Sequence, residues 1–298
     1  ERATGAAFNV LLLDNASGDE SGPAIRTAID ENGWETWVEF IESEENLGFA
    51  GGNNLLMERV LEQERTPPFI LLLNNDTVVH PGCLNYVVNR LKEDPSISML
   101  SCNLLNGDGS IQNVARRMPT PMTETLTAFG LPYSMPRLFG WADLEDGDWD
   151  RATVTREVDW LGGAFMCMPT ETARQTGLFD TDFFFYGEDI ELCHRIRKQG
   201  GRVIFDPGAT TTHFGGGSSD TKRVHNRRRE TFHWKGRFLV QKKCFGPVAA
   251  WWVRATYVAG FFLRKNRLRL RGRRDSDTFE YVKESLFVLT HLNSKETA

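Results

Sequence analysis

Apolar residues open the chain in short unbroken runs. "FNVLLLDN" (residues 8–15) and "FILLLNND" (69–76) show no in/out alternation, which predicts buried strands of a parallel sheet covered on both faces. Between them, "NNLLMERVLEQE" returns to apolar residues at helical spacing and puts Leu56, Val60 and Leu61 on one face. "HPGCLNYVVNRLKEDP" predicts a further helix, with Pro81 in its first turn, Leu84, Val87, Val88 and Leu91 inward, and Pro95 beyond its end. "ISMLSC" predicts a third strand. Strand, helix, strand, helix, strand is the order of a doubly wound α/β sheet.

The middle of the chain is less periodic. "NGDGS" is turn chemistry, and residues 118–150, rich in Pro, Gly and acids, read as a long loop with short helices. "EVDWLGGAFMCMP" predicts a strand carrying two glycines, "TETARQTG" a short helix closed by Gly177, and "EDIELCHRIRKQG" a helix with Ile190, Cys193 and Ile196 inward. "RVIFDP" and "ATTTH" predict two more strands, the second running into a glycine-rich loop.

Composition adds one feature that the pattern alone does not. The 298 residues carry a net charge of -5, but residues 222–274 hold five Lys and twelve Arg against one acid, a net +16 that leaves -21 on the remainder. A cationic tail on an acidic body suits a polyanionic neighbour, either an anionic membrane surface or a nucleic acid. The chain divides accordingly into residues 1–221 and a basic, aromatic helical segment, 222–298. Its longest apolar stretch, "GPVAAWWVRATYVAGFFL", is interrupted by Arg254, which predicts an interfacial rather than a membrane-crossing helix. Part of the segment reads equally well as amphipathic helices packed against residues 1–221, and the two readings are compatible. Five scattered cysteines with no C-x-x-C pair indicate neither a disulfide framework nor a zinc site, and the N-terminal apolar run is too short for a signal peptide. A cytoplasmic setting is expected, with the chain peripheral on the inner face of the plasma membrane.

Ligands of open α/β sheets bind outside the carboxyl ends of the strands. Three such ends carry polar groups: Asp14-Asn15, Asn74-Asn75-Asp76, and His213. If they converge, an Asp and a His with neighbouring amides suit a hard divalent ion, Mg²⁺ or Mn²⁺, with a diphosphate completing the shell. Alone, Asp76 reads better as a turn residue capping the helix after Pro81, and His213 as a structural histidine. "NLGFAGGNN" puts flexible backbone before a helix, where N–H groups can meet a phosphate or where the glycines simply make a tight turn. "FDTDFFFYGEDIELCHR" sets Asp180, Asp182, Glu188 and Asp189 among four aromatics at a helix start. There a carboxylate stays ionised beside an apolar wall and can act as a general base on an alcohol.

In this order and spacing, "LLLDNASGDES", "ENLGFAGGNN", "ILLLNNDT", "VDWLGGAFM", "GLFDTDFFFYGEDIELCHRIRKQG" and an H-x-x-G-G-S pattern resemble the inverting family 2 glycosyltransferases of GT-A fold, and in particular their rhamnosyltransferase-like members. The resemblance implies that Asp14 holds the nucleotide base, with Asn46, Asn53 and Asn75 near the nucleotide. It implies that Asp76 binds the metal, with Asn74 in place of a first Asp and His213 beside the diphosphate. Asp189 matches the base, with Glu188 next to it, and Trp160, Gly162 and Gly163 would shape the acceptor side. The donor would be a dTDP- or UDP-sugar and the acceptor a saccharide or lipid-linked saccharide. In the family a first strand and helix precede the "LLLDN" strand; here the chain starts a few residues before it, so the resemblance implies truncation.

Two other readings compete. A nucleic-acid-binding protein would use the basic tail but leaves the "NND", "GED" and His213 set unexplained. A GT-A nucleotidyltransferase needs a basic residue at the triphosphate, and the glycine-rich stretch offers none.

Overall fold

The computed structural model describes residues 8–144, 154–215, 227–273 and 276–292. The order is β1 (Val10–Asp14), α1 (Ser21–Asn32), β2 (Val38–Glu42), α2 (Gly48–Leu61), β3 (Phe69–Leu73), β4 (Thr77–Val79), α3 (Cys83–Glu93), β5 (Ile97–Leu105), β6 (Ile111–Gln112) and β7 (Ala115–Arg116). Then come α4 (Pro121–Ala128), α5 (Leu131–Ser134), α6 (Pro136–Phe139), β8 (Arg156–Glu157), β9 (Trp160–Leu161), β10 (Phe165–Pro169), α7 (Thr170–Thr176), α8 (Glu188–Lys198) and β11 (Arg202–His213), followed by α9 (Arg227–Phe245), α10 (Pro247–Leu270) and α11 (Asp277–His291).

The α/β class holds, but the sheet is more mixed than its apolar runs predict. Its main path is β3-β10-β5-β11-β4, with β6 on β5 and β8 on β11. Strands β5 and β11 run parallel, whereas β10 lies antiparallel to both β3 and β5. An unbroken apolar run reports burial on two faces, not strand direction. Parallel β1 and β2 pair only with each other among the described residues and are half-buried, so "VLLL" is less enclosed than its composition predicts. The sequence reading passed over α1 and β2. It also merged β8, β9 and β10 into one strand, although the two glycines fall between β9 and β10.

Two further boundaries differ. Pro81 precedes α3, whose N-cap is Gly82. "RVIFDP" and "ATTTH" form the single strand β11, irregular between Phe205 and Thr210. That irregularity turns Asp206 inward to accept hydrogen bonds from the Tyr86 hydroxyl (2.9 Å) and the Arg90 guanidinium (3.0 Å).

Three apolar clusters hold the layers. The first lies around β3, β5, β10 and β11, with Val87 and Leu91 of α3 and Leu192, Cys193 and Ile196 of α8. The second belongs to the C-terminal helices and includes Trp234, Phe238, Val253, Tyr257, Val282 and Leu289. A third, Met118, Phe183, Leu239 and Val240, joins them. The basic tail therefore packs as helices with a core of its own. It is also bolted to the sheet domain by buried Glu124, which accepts from Arg237 (2.9 Å) and the Tyr257 hydroxyl (2.6 Å).

Candidate active site

Strand β3 ends where the chain must leave the core, and its polar residues are held in place there. The Asn74 amide N–H donates to the Ala164 carbonyl (3.1 Å), and the Thr77 hydroxyl donates to the Asn74 carbonyl (2.7 Å). Antiparallel pairing of β4 with β11 puts His213 opposite Thr77, and Phe214 N–H donates to the Asp76 carbonyl (2.9 Å). His213 Nε2 thus lies 3.1 Å from Asp76 Oδ1 and 3.4 Å from the Asn74 amide. Asp76 caps no helix; it faces a histidine, while Asn75 is exposed beside it.

Gln112, which the sequence reading missed, fixes the ring of that histidine. Its amide nitrogen donates to the His213 carbonyl (2.9 Å) and to Asn106 Oδ1 (2.7 Å), so its oxygen is the atom 2.7 Å from His213 Nδ1. An amide oxygen only accepts, so Nδ1 carries a proton. In the neutral ring Nε2 then presents a lone pair toward a carboxylate oxygen, an arrangement that a second proton or a bound cation relieves. Among the described residues no group of three or more His, Cys, Asp or Glu forms a metal site. Asp76 and His213 nevertheless make an oxygen–nitrogen donor pair that fits a divalent ion needing further ligands from elsewhere.

The second half of the site begins at α8. Gly187, at φ 101°, reverses the chain into the helix, so that Glu188 and Asp189 occupy the first turn. Asp189 Oδ1 accepts the Ile190 N–H (2.8 Å) and Oδ2 the Gly163 N–H (3.2 Å). Burial raises the pKa of Asp189 above the ordinary carboxylate range, opposed by those backbone N–H groups and by the charge of Arg116. Buried Glu188 is raised too, first by desolvation and then by the charge of Asp189, and its Oε2 has no partner. Asp189 is therefore the member of the pair that ionises first. Asp180 and Asp182, the other acids of that stretch, are both paired with Lys243 of α9.

One short segment joins the halves. Gly163 donates its N–H to Asp189, and the carbonyl of the next residue, Ala164, accepts from Asn74. Gly163 also abuts the Phe49 ring, where an added Cβ would lie 3.1 Å from Cζ, so packing already accounts for this glycine. Gly162 donates to Val114 O (2.8 Å), and the Trp160 indole donates to Arg117 O (2.8 Å).

The nucleotide-side residues sit as follows. Asp14, at the end of β1, accepts from the Ser17 N–H and hydroxyl. Asn46 accepts from Gly48 N–H (2.9 Å), and the Asn53 amide donates to Phe49 O (2.9 Å), so both brace their own segment. The glycines of "NLGFAGGNN" lie inside α2 rather than in a loop before it. The Leu47, Gly48 and Phe49 N–H groups are taken by Asn15, Asn46 and the Phe184 carbonyl, so they form no open phosphate cradle. Gly48, at φ 70°, is required because a Cβ there would stand 2.3 Å from Phe184 O.

A mixed sheet with an Asp–His pair at its strand ends and a carboxylate held at the start of α8 gives an α/β domain with a candidate active site at that edge. The chain belongs to the family described as Glycosyltransferase like family 2, whose model matches residues 29–233. It is similar to N-acetylglucosaminyl-diphospho-decaprenol L-rhamnosyltransferase of Mycobacterium tuberculosis, with 25% identity over 71% of this chain and 68% of that one. It is also similar to the low-salt glycan biosynthesis hexosyltransferase Agl10 of Haloferax volcanii (26%; 54% and 47%) and to rhamnosyltransferase WbbL of Escherichia coli (26%; 56% and 61%).

Proposed function

We propose that this glycosyltransferase moves a hexose, rhamnose being the sugar in the names of two relatives, from a dTDP- or UDP-linked donor to a hydroxyl of a lipid-linked saccharide. The observation that carries this is the Gly163-Ala164 segment, which holds the base Asp189 on one side and the Asp76–Asn74–His213 group on the other. Leaving group and nucleophile thus have separate, adjoining places.

In this reading the acceptor hydroxyl lies against Asp189, which takes its proton as the oxygen attacks the anomeric carbon. The bond to the diphosphate breaks on the opposite side, and configuration inverts. The upward shift of Asp189 strengthens it as a base near neutrality. Asp76 and His213, with Asn74, would hold Mg²⁺ or Mn²⁺, which when bound supplies positive charge to the departing diphosphate. Asp14 and Asn75 would face the nucleotide, and Trp160 the acceptor.

The same reading puts α10 and α11 on an anionic bilayer at the inner face of the plasma membrane. Among the described residues no helix is long and apolar enough to cross a membrane. However, Trp251, Trp252, Phe262 and Leu263 are exposed, and an open groove of about 860 Å³ between the two helices has Lys265 and Lys283 at its border. Aromatic and basic side chains together suit an interfacial helix.

The test is calorimetric titration with UDP and dTDP, with and without Mn²⁺, on the wild type and on Asp76→Ala. Metal-dependent binding of one nucleotide, lost in the variant, is the expected result. A folded wild type that binds neither nucleotide would sink the reading.

A further inference from the structure

Arg116 is a guanidinium with nothing assigned to it. Other arginines of the sheet domain, Arg90, Arg195, Arg197 and Arg202, each bond a carboxylate. Half-buried Arg116 makes no hydrogen bond or ion pair among the described residues; its guanidinium carbon stands over the Trp160 ring, 5.7 Å from the centroid. The β7–β9 pairing fixes it there, because Arg116 and Trp160 are direct cross-strand partners. Three residues beyond Trp160, Gly163 holds Asp189, and the charge of Arg116 reaches that carboxylate. A planar cation stacked on an indole with its N–H groups unspent is built for a phosphate rather than for a neutral sugar.

What lies on the other side of Arg116 narrows the ligand. The adjacent Arg117 donates to the Trp141 carbonyl (3.0 Å), in a segment where Tyr133, Met135, Leu138 and Trp141 are all exposed. That segment follows α4, onto which Trp252 of α10 is hydrogen-bonded through Thr125 (3.0 Å). The elements tied together here thus carry a carboxylate, an unpaired guanidinium and exposed apolar side chains. An acceptor with a sugar hydroxyl, an anionic phosphate link and a lipid presents the matching chemistry.

We propose that Arg116, stacked on Trp160, binds the phosphate or diphosphate that joins the acceptor saccharide to its lipid. The inference rests on the acceptor being a lipid-linked saccharide and deepens that reading by naming the residue that selects for the link. In this arrangement Arg116 meets the lipid link of the acceptor and not the donor, so its effect falls on acceptor affinity rather than on donor affinity.

The test uses farnesyl diphosphate and farnesol as probes. Each is titrated into the full chain with Mn²⁺ and its preferred nucleotide already saturating, for the wild type, Arg116→Gln and Arg116→Lys. The expected result is tighter binding of farnesyl diphosphate than of farnesol by the wild type. Arg116→Gln should weaken farnesyl diphosphate about tenfold or more, the scale of a charge-assisted hydrogen bond. Arg116→Lys should recover part of that loss, and nucleotide affinity should be equal in all three proteins. Equal farnesyl diphosphate affinity in wild type and Arg116→Gln would overturn the proposal, leaving Arg116 only as a neighbour that tunes Asp189. A parallel loss of nucleotide affinity in both variants would overturn it by assigning Arg116 to the donor side. A wild type that binds nucleotide but prefers farnesol overturns this inference alone, whereas one that binds no nucleotide fails the parent reading.

Discussion

The two carboxylates of the site, Asp76 and Asp189, are kept in opposite ways. Asp76 ends a strand in a polar net of His213, Asn74 and Gln112, where every neighbour is itself fixed by backbone hydrogen bonds. Asp189 starts a helix beside apolar rings and has only two backbone N–H groups and a distant guanidinium to hold its charge. A polar net fixes a carboxylate oxygen beside a second donor atom, where a cation can meet both. An apolar wall makes the carboxylate want a proton, as a base should. The difference teaches that one fold can give two carboxylates the separate tasks proposed for them, ligand and base, by changing what surrounds the same functional group.

The sharpest way to break this comparison is to remove the proton acceptor alone. Asp189→Asn keeps the shape and the Gly163 contact but cannot take a proton. Transfer should fall by about 10²–10⁴-fold, the usual worth of general base catalysis, with nucleotide affinity unchanged by calorimetry. Near-wild-type kcat would move the base elsewhere. In the wild type the raised pKa of Asp189 puts the acidic limb of kcat/KM above the ordinary carboxylate range. Activity should therefore be lost as pH falls through that raised value, and a limb near pH 4 would contradict the apolar-wall account.

The polar net is tested next by Gln112→Leu, which leaves every expected ligand in place. Without the Oε1 acceptor the His213 ring loses its fixed proton position and orientation. Mn²⁺ dependence of nucleotide binding should shift to about 10–100-fold higher metal concentration, as for other orienting partners of ligating histidines. An unchanged titration would show that His213 is not oriented by Gln112.

How far the two halves could be read in the sequence follows from the same contrast. Asp76, Asp189 and His213 stand at element ends that hydrophobic runs and a helical period mark out, so their positions were legible. Gln112 and Arg116 were not, because each acts through a partner far along the chain. His213 is bonded to Gln112 from 101 residues away, and the β7–β9 pair that orients Arg116 is only two residues long on each strand. No period reports on strands that short. Of the two readings left open for "NLGFAGGNN", the phosphate cradle fails for a related reason. Gly48 answers to Phe184, far away in sequence, whose carbonyl sits where a side chain at Gly48 would be. The reversed direction of β10 is likewise a property of tertiary pairing. The basic tail was legible as helical and cationic, but not as a clamp on the segment that leads into the base.

That clamp gives a smaller, structural effect. Gly236 of α9 packs on the backbone of Tyr186, where a Cβ would come within 2.0 Å of the carbonyl oxygen, and Tyr186 itself is held at φ 73° three residues before Asp189. Neither atom is the free end of a flexible side chain, so Gly236→Ala must push the helix off the loop. A loss of about 1–3 kcal/mol, typical of overpacking, is expected, together with reduced kcat and little change in nucleotide affinity. Thermal melting, a transfer-rate assay and calorimetry check the three parts. Loss of nucleotide binding at the same time would mean that α9 supports the donor side as well.

The smallest effect concerns Glu188, which sits in the same apolar wall but has no backbone donor for Oε2. Its folded-state pKa is raised by burial and by Asp189, whereas in the unfolded chain it titrates as an ordinary glutamate. A raised carboxylate binds its proton more tightly when folded, so its contribution to stability is fully present below the unfolded pKa and is lost as pH rises through the folded one. Glu188→Gln cannot ionise and does not suffer that loss. The melting temperature of the variant relative to wild type should therefore climb steadily from pH 5 to pH 8. A difference that stays flat over that range would mean that Glu188 titrates normally, and that the wall around the base is wetter than the packing of Phe183, Gly187 and Val240 implies.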